Sequence, residues 1–99
     1  MPYDEEIIEN KAIIKLEGDI DLEKTEELRD QAMQTLHNNE ALEFDMSKVD
    51  YIDSSGISVM IELHQEAGEQ SKSFSINNPS EQVSSVLKMA KLFDFFKIT

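Results

Sequence analysis

Between residues 41 and 67 the hydrophobic period changes once, and that change dictates a strand running almost directly into a helix. Leu42, Phe44 and Met46 alternate with Glu43 and Asp45, the period-two pattern of a strand with one buried face. Beyond Asp53-Ser54-Ser55-Gly56, the residues Ile57, Met60, Ile61, His64 and Ala67 recur every three or four positions, which places them on one helical face. The junction offers Asp53, Ser54 and Ser55 as caps, each able to accept a bond from a free helix amide. The same amides, at the positive end of the helix dipole, would receive a phosphate. A serine hydroxyl at this point is either a cap or a switch.

The flanking sequence repeats the alternation of strand and helix. Ile7-Ile8 and Ala12–Leu16 read as two strands around a turn at Glu9-Asn10-Lys11, with Gly18 ending the second. From Leu22 to about His37, Thr25, Leu28, Ala32, Met33 and Leu36 lie at helical spacing. Asp21 is the expected N-cap, and Glu23, Glu26 and Glu27 load the first turns, where acid complements the dipole. Asn38-Asn39 turns the chain into a third strand, Ala41 to Met46. After an exit loop at Glu69–Lys72, Ser73–Asn77 alternates again as the fourth strand. Asn78-Pro79-Ser80-Glu81 then reads as a helix start, with Asn78 as cap and Pro79 in the first helical position. Val83, Val86, Leu87 and Ala90 form that helix's expected buried stripe, and Phe93 to Ile98 closes the chain as a short strand or extended tail. Met33, Met46, Met60 and Met89 occupy positions with core periodicity.

Strands alternating with helices predict βα units joined by right-handed crossovers. Strands covered on both faces would be apolar throughout, whereas three of these alternate apolar with polar. The expectation is one α/β domain over residues 1–99, a mixed four- to five-stranded sheet with its helices packed on one face and the other face wet.

A chain of 99 residues has room for one core. Its net charge of −12, from 21 acids against 9 bases, argues against a nucleic-acid footprint, which needs clustered Lys and Arg. The same balance disfavours an anionic membrane surface and favours a protein partner with a basic patch. No apolar run approaches the roughly 18 to 20 residues that span a bilayer, so no membrane insertion is expected. Met1-Pro2-Tyr3-Asp4-Glu5-Glu6 lacks the basic and apolar regions of a signal peptide, and the expected location is the cytoplasm. Absence of cysteine excludes disulfides, thiol catalysis and thiolate metal sites.

Two enzyme readings fail on the residues. Asp19-Ile20-Asp21 after a strand is a pattern that can hold Mg²⁺ or attack a phosphate. A calcium loop would need a glycine where Lys24 stands, and the pair reads better as cap and loop acids. Ser54 as a nucleophile needs a base. The only histidines are His37 and His64, and His64 lies about 15 Å along the helix axis from Ser54. The Gly-x-Ser-x-Gly elbow is absent as well. No catalytic role, metal or cofactor is expected.

The run from Leu42 through Tyr51-Ile52-Asp53-Ser54-Ser55-Gly56-Ile57 resembles the core signature of the STAS domain, the family of bacterial anti-sigma factor antagonists. Gly18-Asp19-Ile20-Asp21 is similar to the family's Gly-acid-apolar-Asp turn. Asn78-Pro79 through Val83, Leu87, Leu92, Phe96 and Ile98 is similar to its closing helix and last strand. The resemblance spans roughly residues 5 to 98. It implies that Ser54, directly after the aspartate, is the phosphoacceptor, with Asp53, Ser55 and Gly56 shaping its loop and Asp19 and Asp21 beside it. It further implies a partner that is both anti-sigma factor and serine kinase, bound while Ser54 is unphosphorylated, and a serine phosphatase that reverses the change. A non-switching STAS adaptor subunit of a transport or signalling complex is the alternative. Two departures stand out: the family places a glycine before the fourth strand, where this chain has Gln70-Ser71-Lys72, and a small residue where it has Lys91.

Overall fold

The structure, a computed structural model, describes residues 3–99; Met1 and Pro2, which open the acidic N-terminus read above, lie outside them. The elements follow the expected alternation: β1 (Asp4–Ile8), β2 (Lys11–Ile20), α1 (Leu22–Asn38), β3 (Ala41–Ile52), α2 (Ser54–Glu69), β4 (Ser73–Asn77), α3 (Glu81–Met89) and β5 (Lys97–Ile98). The sheet order is β1-β2-β3-β4-β5. β1 pairs antiparallel with β2 through the Glu9-Asn10 turn, and every later pair is parallel. Crossovers between parallel strands of one sheet are right-handed as a rule, and three in succession in one direction carry their helices to the same side.

That side is the core. Ala12, Ile14, Leu16, Leu42, Phe44, Met46, Phe74 and Ile76 from the strands meet Leu28, Ala32 and Leu36 of α1, Met60 and Leu63 of α2, and Val83 and Leu87 of α3. Phe44 and Phe74, on neighbouring strands, pack edge to face with ring centroids 5.0 Å apart, a geometry that adds about 0.5 to 1.5 kcal/mol beyond area burial.

Both long strands outrun the expectation. β2 continues through Gly18 to Ile20, and β3 continues past Met46 to Ile52. The register passes from Lys15↔Asp45 to Glu17↔Lys48, and from Gly18↔Val49 to Asp19↔Tyr51, so β3 gains one residue twice. Each bulge shifts the side-chain parity. Met46, Val49 and Ile52 therefore all face the helices although their spacing is three. Gly18, between the two irregularities, has φ +76, a conformation that glycine adopts without a Cβ penalty.

The helix-free face differs from the wet surface expected of it. Glu43, at its centre between Ile13 and Ser75, is only 4% exposed. Lys11 makes this tolerable, its Nζ lying 2.8 Å from Glu43 Oε1, because a buried carboxylate needs a paired charge.

The last helix also starts later than expected. Ser80, not Asn78, is the cap and accepts from the Val83 amide, so Pro79 precedes the helix. Ser80 does more than cap. Its amide donates to Met46 O at 3.1 Å and its hydroxyl to Val49 O at 2.7 Å, satisfying the edge of β3 where β4 has already ended. Ala90 is exposed and Met89 is 84% exposed, so neither joins the expected core, whereas Met46 and Met60 are buried. Only Lys97 and Ile98 of the closing segment pair as a strand, with Phe96 buried ahead of them.

Candidate functional site: the start of the central helix

The carboxyl ends of β2 and β3 set two helix starts side by side. Ile20 pairs with Ile52 at the end of the ladder, and the Asp53 amide donates to Ile20 O at 3.3 Å. Asp21 caps α1 by accepting from the Glu23 amide, and Asp53 caps α2 by accepting from the amides of Ser55 at 2.9 Å and Gly56 at 3.2 Å. The sequence left the α2 cap open among three residues, and the structure assigns it to Asp53. The Ser55 hydroxyl also donates to Asp53 Oδ1. These donors, the Ser55 hydroxyl first and then the Gly56, Ser55 and Leu22 amides, hold the Asp53 carboxyl below the usual aspartate range.

Ser54 is left outside this network. It opens α2, is exposed, and its hydroxyl makes no hydrogen bond among the described residues. Its carbonyl accepts from the Ser58 hydroxyl one turn on. The free amides expected to receive a phosphate are in part already taken, since the Asp53 carboxylate occupies those of Ser55 and Gly56.

Gly56 has a packing role. A Cβ at this position would lie 2.7 Å from Ile52 Cγ1 and 3.2 Å from Ile20 Cγ2, so the first turn of α2 sits directly on the ends of both strands. The end of β2 and the start of α1 also carry Asp19 and Asp21. Asp19 is exposed and pairs with Tyr51, while Asp21 follows Ile20 into the cap of α1.

Two apolar residues at this end escaped the sequence reading. Leu22 is 75% exposed and Tyr51 52% exposed. Leu22 lies outside the buried stripe of α1, which was the available signal; Tyr51 was obscured by the second bulge. Between α1 and α2 a shallow groove of about 440 Å³ runs from Leu22 and Ser55 past Ser58 and Val59. The ion pair between Arg29 Nε and Glu62 Oε2, 2.6 Å apart, crosses it. No imidazole serves Ser54: His64 packs on Phe95 with ring centroids 4.5 Å apart, and His37 lies in the last turn of α1.

The end of the bulged parallel ladder thus presents an exposed serine beside a capping aspartate. The family described as "Mlab, STAS domain" matches residues 4–97. The chain belongs to the STAS-domain family. Solved STAS-type structures share its fold. The anti-sigma factor antagonist SpoIIAA in its unphosphorylated form superposes with a TM-score of 0.83 at 18% identity, over 98% of this chain and 87% of that one. A putative anti-sigma factor antagonist from Thermotoga maritima gives 0.89 at 18% identity, over 97% and 84%. Bacillus SpoIIAA in its phosphorylated form gives 0.76 at 17% identity, over 98% and 90%.

Both departures of this STAS domain from its family's pattern fall on left-handed residues. Ser71, after α2, has φ 57, and Lys91, after α3, has φ 61. Each follows a helix whose end is closed by paired backbone bonds: Lys72 N to Ala67 O at 2.7 Å with Ser71 N to Gly68 O at 3.2 Å, and Leu92 N to Leu87 O at 2.8 Å with Lys91 N to Lys88 O at 3.1 Å. Such closures favour glycine at the left-handed residue.

Proposed function

We propose that this STAS domain is a phosphorylation-switched anti-sigma factor antagonist acting in the cytoplasm. With Ser54 unphosphorylated it binds an anti-sigma factor that is also a serine kinase. The kinase transfers the γ-phosphoryl group of ATP to Ser54 Oγ, releasing ADP while the hydroxyl proton passes to a base of the kinase, and a serine phosphatase hydrolyses the ester with water to restore the hydroxyl and release inorganic phosphate. The domain itself supplies no catalytic group. The observation that carries this reading is the division of labour between adjacent serines: Ser55 is bound to Asp53, while the Ser54 hydroxyl is exposed and unbonded among the described residues. Exposed Leu22 and Tyr51 beside it supply apolar area for a partner, and tyrosine is a residue type that anchors interfaces. The existence of a phosphorylated form of SpoIIAA, a protein of the same fold, supports the same reading.

The phosphate acts as a local charge. It adds about −1.5 to −2 charges at a helix start whose dipole would offer about 0.3 to 1 kcal/mol. The Asp53 carboxylate already holds two of the amides there, and its charge opposes the gain. The net change in stability is therefore small. A partner surface shaped for a neutral hydroxyl must desolvate or repel the new charge, at a cost of several kcal/mol. A penalty of roughly 3 kcal/mol weakens binding more than a hundredfold.

The test uses immobilised protein, bacterial extract and mass spectrometry of what is retained. The wild type and Ser54→Ala are expected to retain one anti-sigma factor with a kinase domain, and Ser54→Asp to lose it while melting within a few degrees of the wild type. Equal retention by all three contradicts the switch. The second reading is a non-switching STAS adaptor subunit of a transport or signalling complex, and equal retention of a component of such a complex by all three proteins is its signature.

A further inference from the structure

The far end of the molecule from Ser54 carries a surface of opposite character. α3 starts at Ser80 beside the carboxyl end of β3 and runs back, so its last turn lies towards the end where the parallel strand β5 begins. Three of the chain's nine bases, Lys88, Lys91 and Lys97, fall within residues 88–97, against one acid, Asp94. Lys88, Lys91, Phe93 and Asp94 line a shallow groove of about 380 Å³, with Lys88 Nζ 4.9 Å from the Phe93 ring centroid. Met89 beside it is 84% exposed and Phe95 44%.

Two local rules are broken at this one place. An unbranched apolar side chain stands in water in the last turn of a helix, and a lysine holds φ 61, which costs a side-chain-bearing residue roughly 1 to 2 kcal/mol. Local choices that work against stability and converge on one surface mark functional sites. Charge then selects the occupant. The rest of the chain is strongly acidic, so an anionic bilayer extending across the whole end would be repelled within a Debye length of about 8 to 10 Å. A protein segment presents its charge only where it touches.

We propose that Lys88, Met89, Lys91 and Phe93 form a second docking site, which takes an acidic amphipathic segment of a partner protein: its carboxylates pair with the two lysines and its apolar side chains cover Met89 and Phe93. The site is independent of Ser54 and of its phosphorylation.

The experiment is an NMR titration of the full chain with a synthetic amphipathic helical peptide of Glu, Ala and Leu, with the matching Lys, Ala and Leu peptide as control. The acidic peptide is expected to shift the amides of Lys88, Met89, Lys91 and Phe93, and to weaken with added salt. The double variant Lys88→Glu/Lys91→Glu should bind about tenfold or more weakly, and Met89→Ser, which keeps the charge, should also weaken binding. Shifts at the Ser54 end instead, unchanged affinity in the double variant, or equal binding of the basic peptide at this surface overturn the proposal. So does sedimentation showing wild-type self-association that the double variant loses, which assigns the face to a second copy. Binding to phosphatidylglycerol vesicles through these residues without peptide binding overturns it as well.

Discussion

The Ser55 hydroxyl donates to the carboxylate of Asp53, which also accepts from the Ser55 and Gly56 amides. One carboxylate thus caps the central helix and restrains the serine that follows Ser54. Asp53→Ala should cost about 1 kcal/mol of stability, the usual loss of an N-cap, measured by urea denaturation. Because its donors hold Asp53 below the aspartate range, the direction with pH is fixed. The contribution is fully present above the unfolded value of about 3.9 and is lost as pH falls through the lower folded value. The stability gap between wild type and Asp53→Ala should therefore close in acid; a gap that widens there contradicts the assignment.

The two glycines of α2 should respond oppositely to alanine. A Cβ at Gly68 meets nothing within 4 Å, so Gly68→Ala should gain roughly 0.5 to 1 kcal/mol from helix propensity. At Gly56 the same Cβ meets buried Ile52 at 2.7 Å. Overpacking there costs about 1 to 3 kcal/mol, which outweighs the propensity gain, so Gly56→Ala should melt below the wild type. Equal shifts at both sites would show that the first turn of α2 moves freely over Ile52 and Ile20.

At the two left-handed closures the expected change is stabilising. Ser71→Gly and Lys91→Gly each relieve a Cβ penalty of about 1 to 2 kcal/mol, offset in part by the greater unfolded-state freedom of glycine. Thermal unfolding of either variant should move up by a few degrees. A fall in either would mean that the side chain contributes more to the folded state than its backbone costs.

These closures show what the sequence made legible. Strand and helix order, the Asp21 cap and the one-sided core followed from hydrophobic period, because each face meets a single layer. The bulges on either side of Gly18 were hidden, since an inserted residue shifts parity and leaves Met46, Val49 and Ile52 at a spacing of three, which breaks the strand alternation. Contacts between distant segments were equally silent. Lys72 donates to Leu36 O at 2.7 Å and His37 O at 2.9 Å, capping the end of α1 from across the chain. Nothing local to Lys72 points there. At the candidate site, the sequence singles out Ser54 only through its neighbours, whereas the engagement of Ser55 with Asp53 needed coordinates.

The central claim is that Ser54 alone is the switch. Its most direct test is phosphopeptide mapping, with intact mass, of the protein after incubation with ATP and bacterial extract, using Ser54→Ala as control. The account predicts one phosphate, on Ser54, absent from the Ser54→Ala protein. Phosphate on Ser55, Ser47 or Ser58, or an unmodified wild type in an extract that contains its partner kinase, would contradict it.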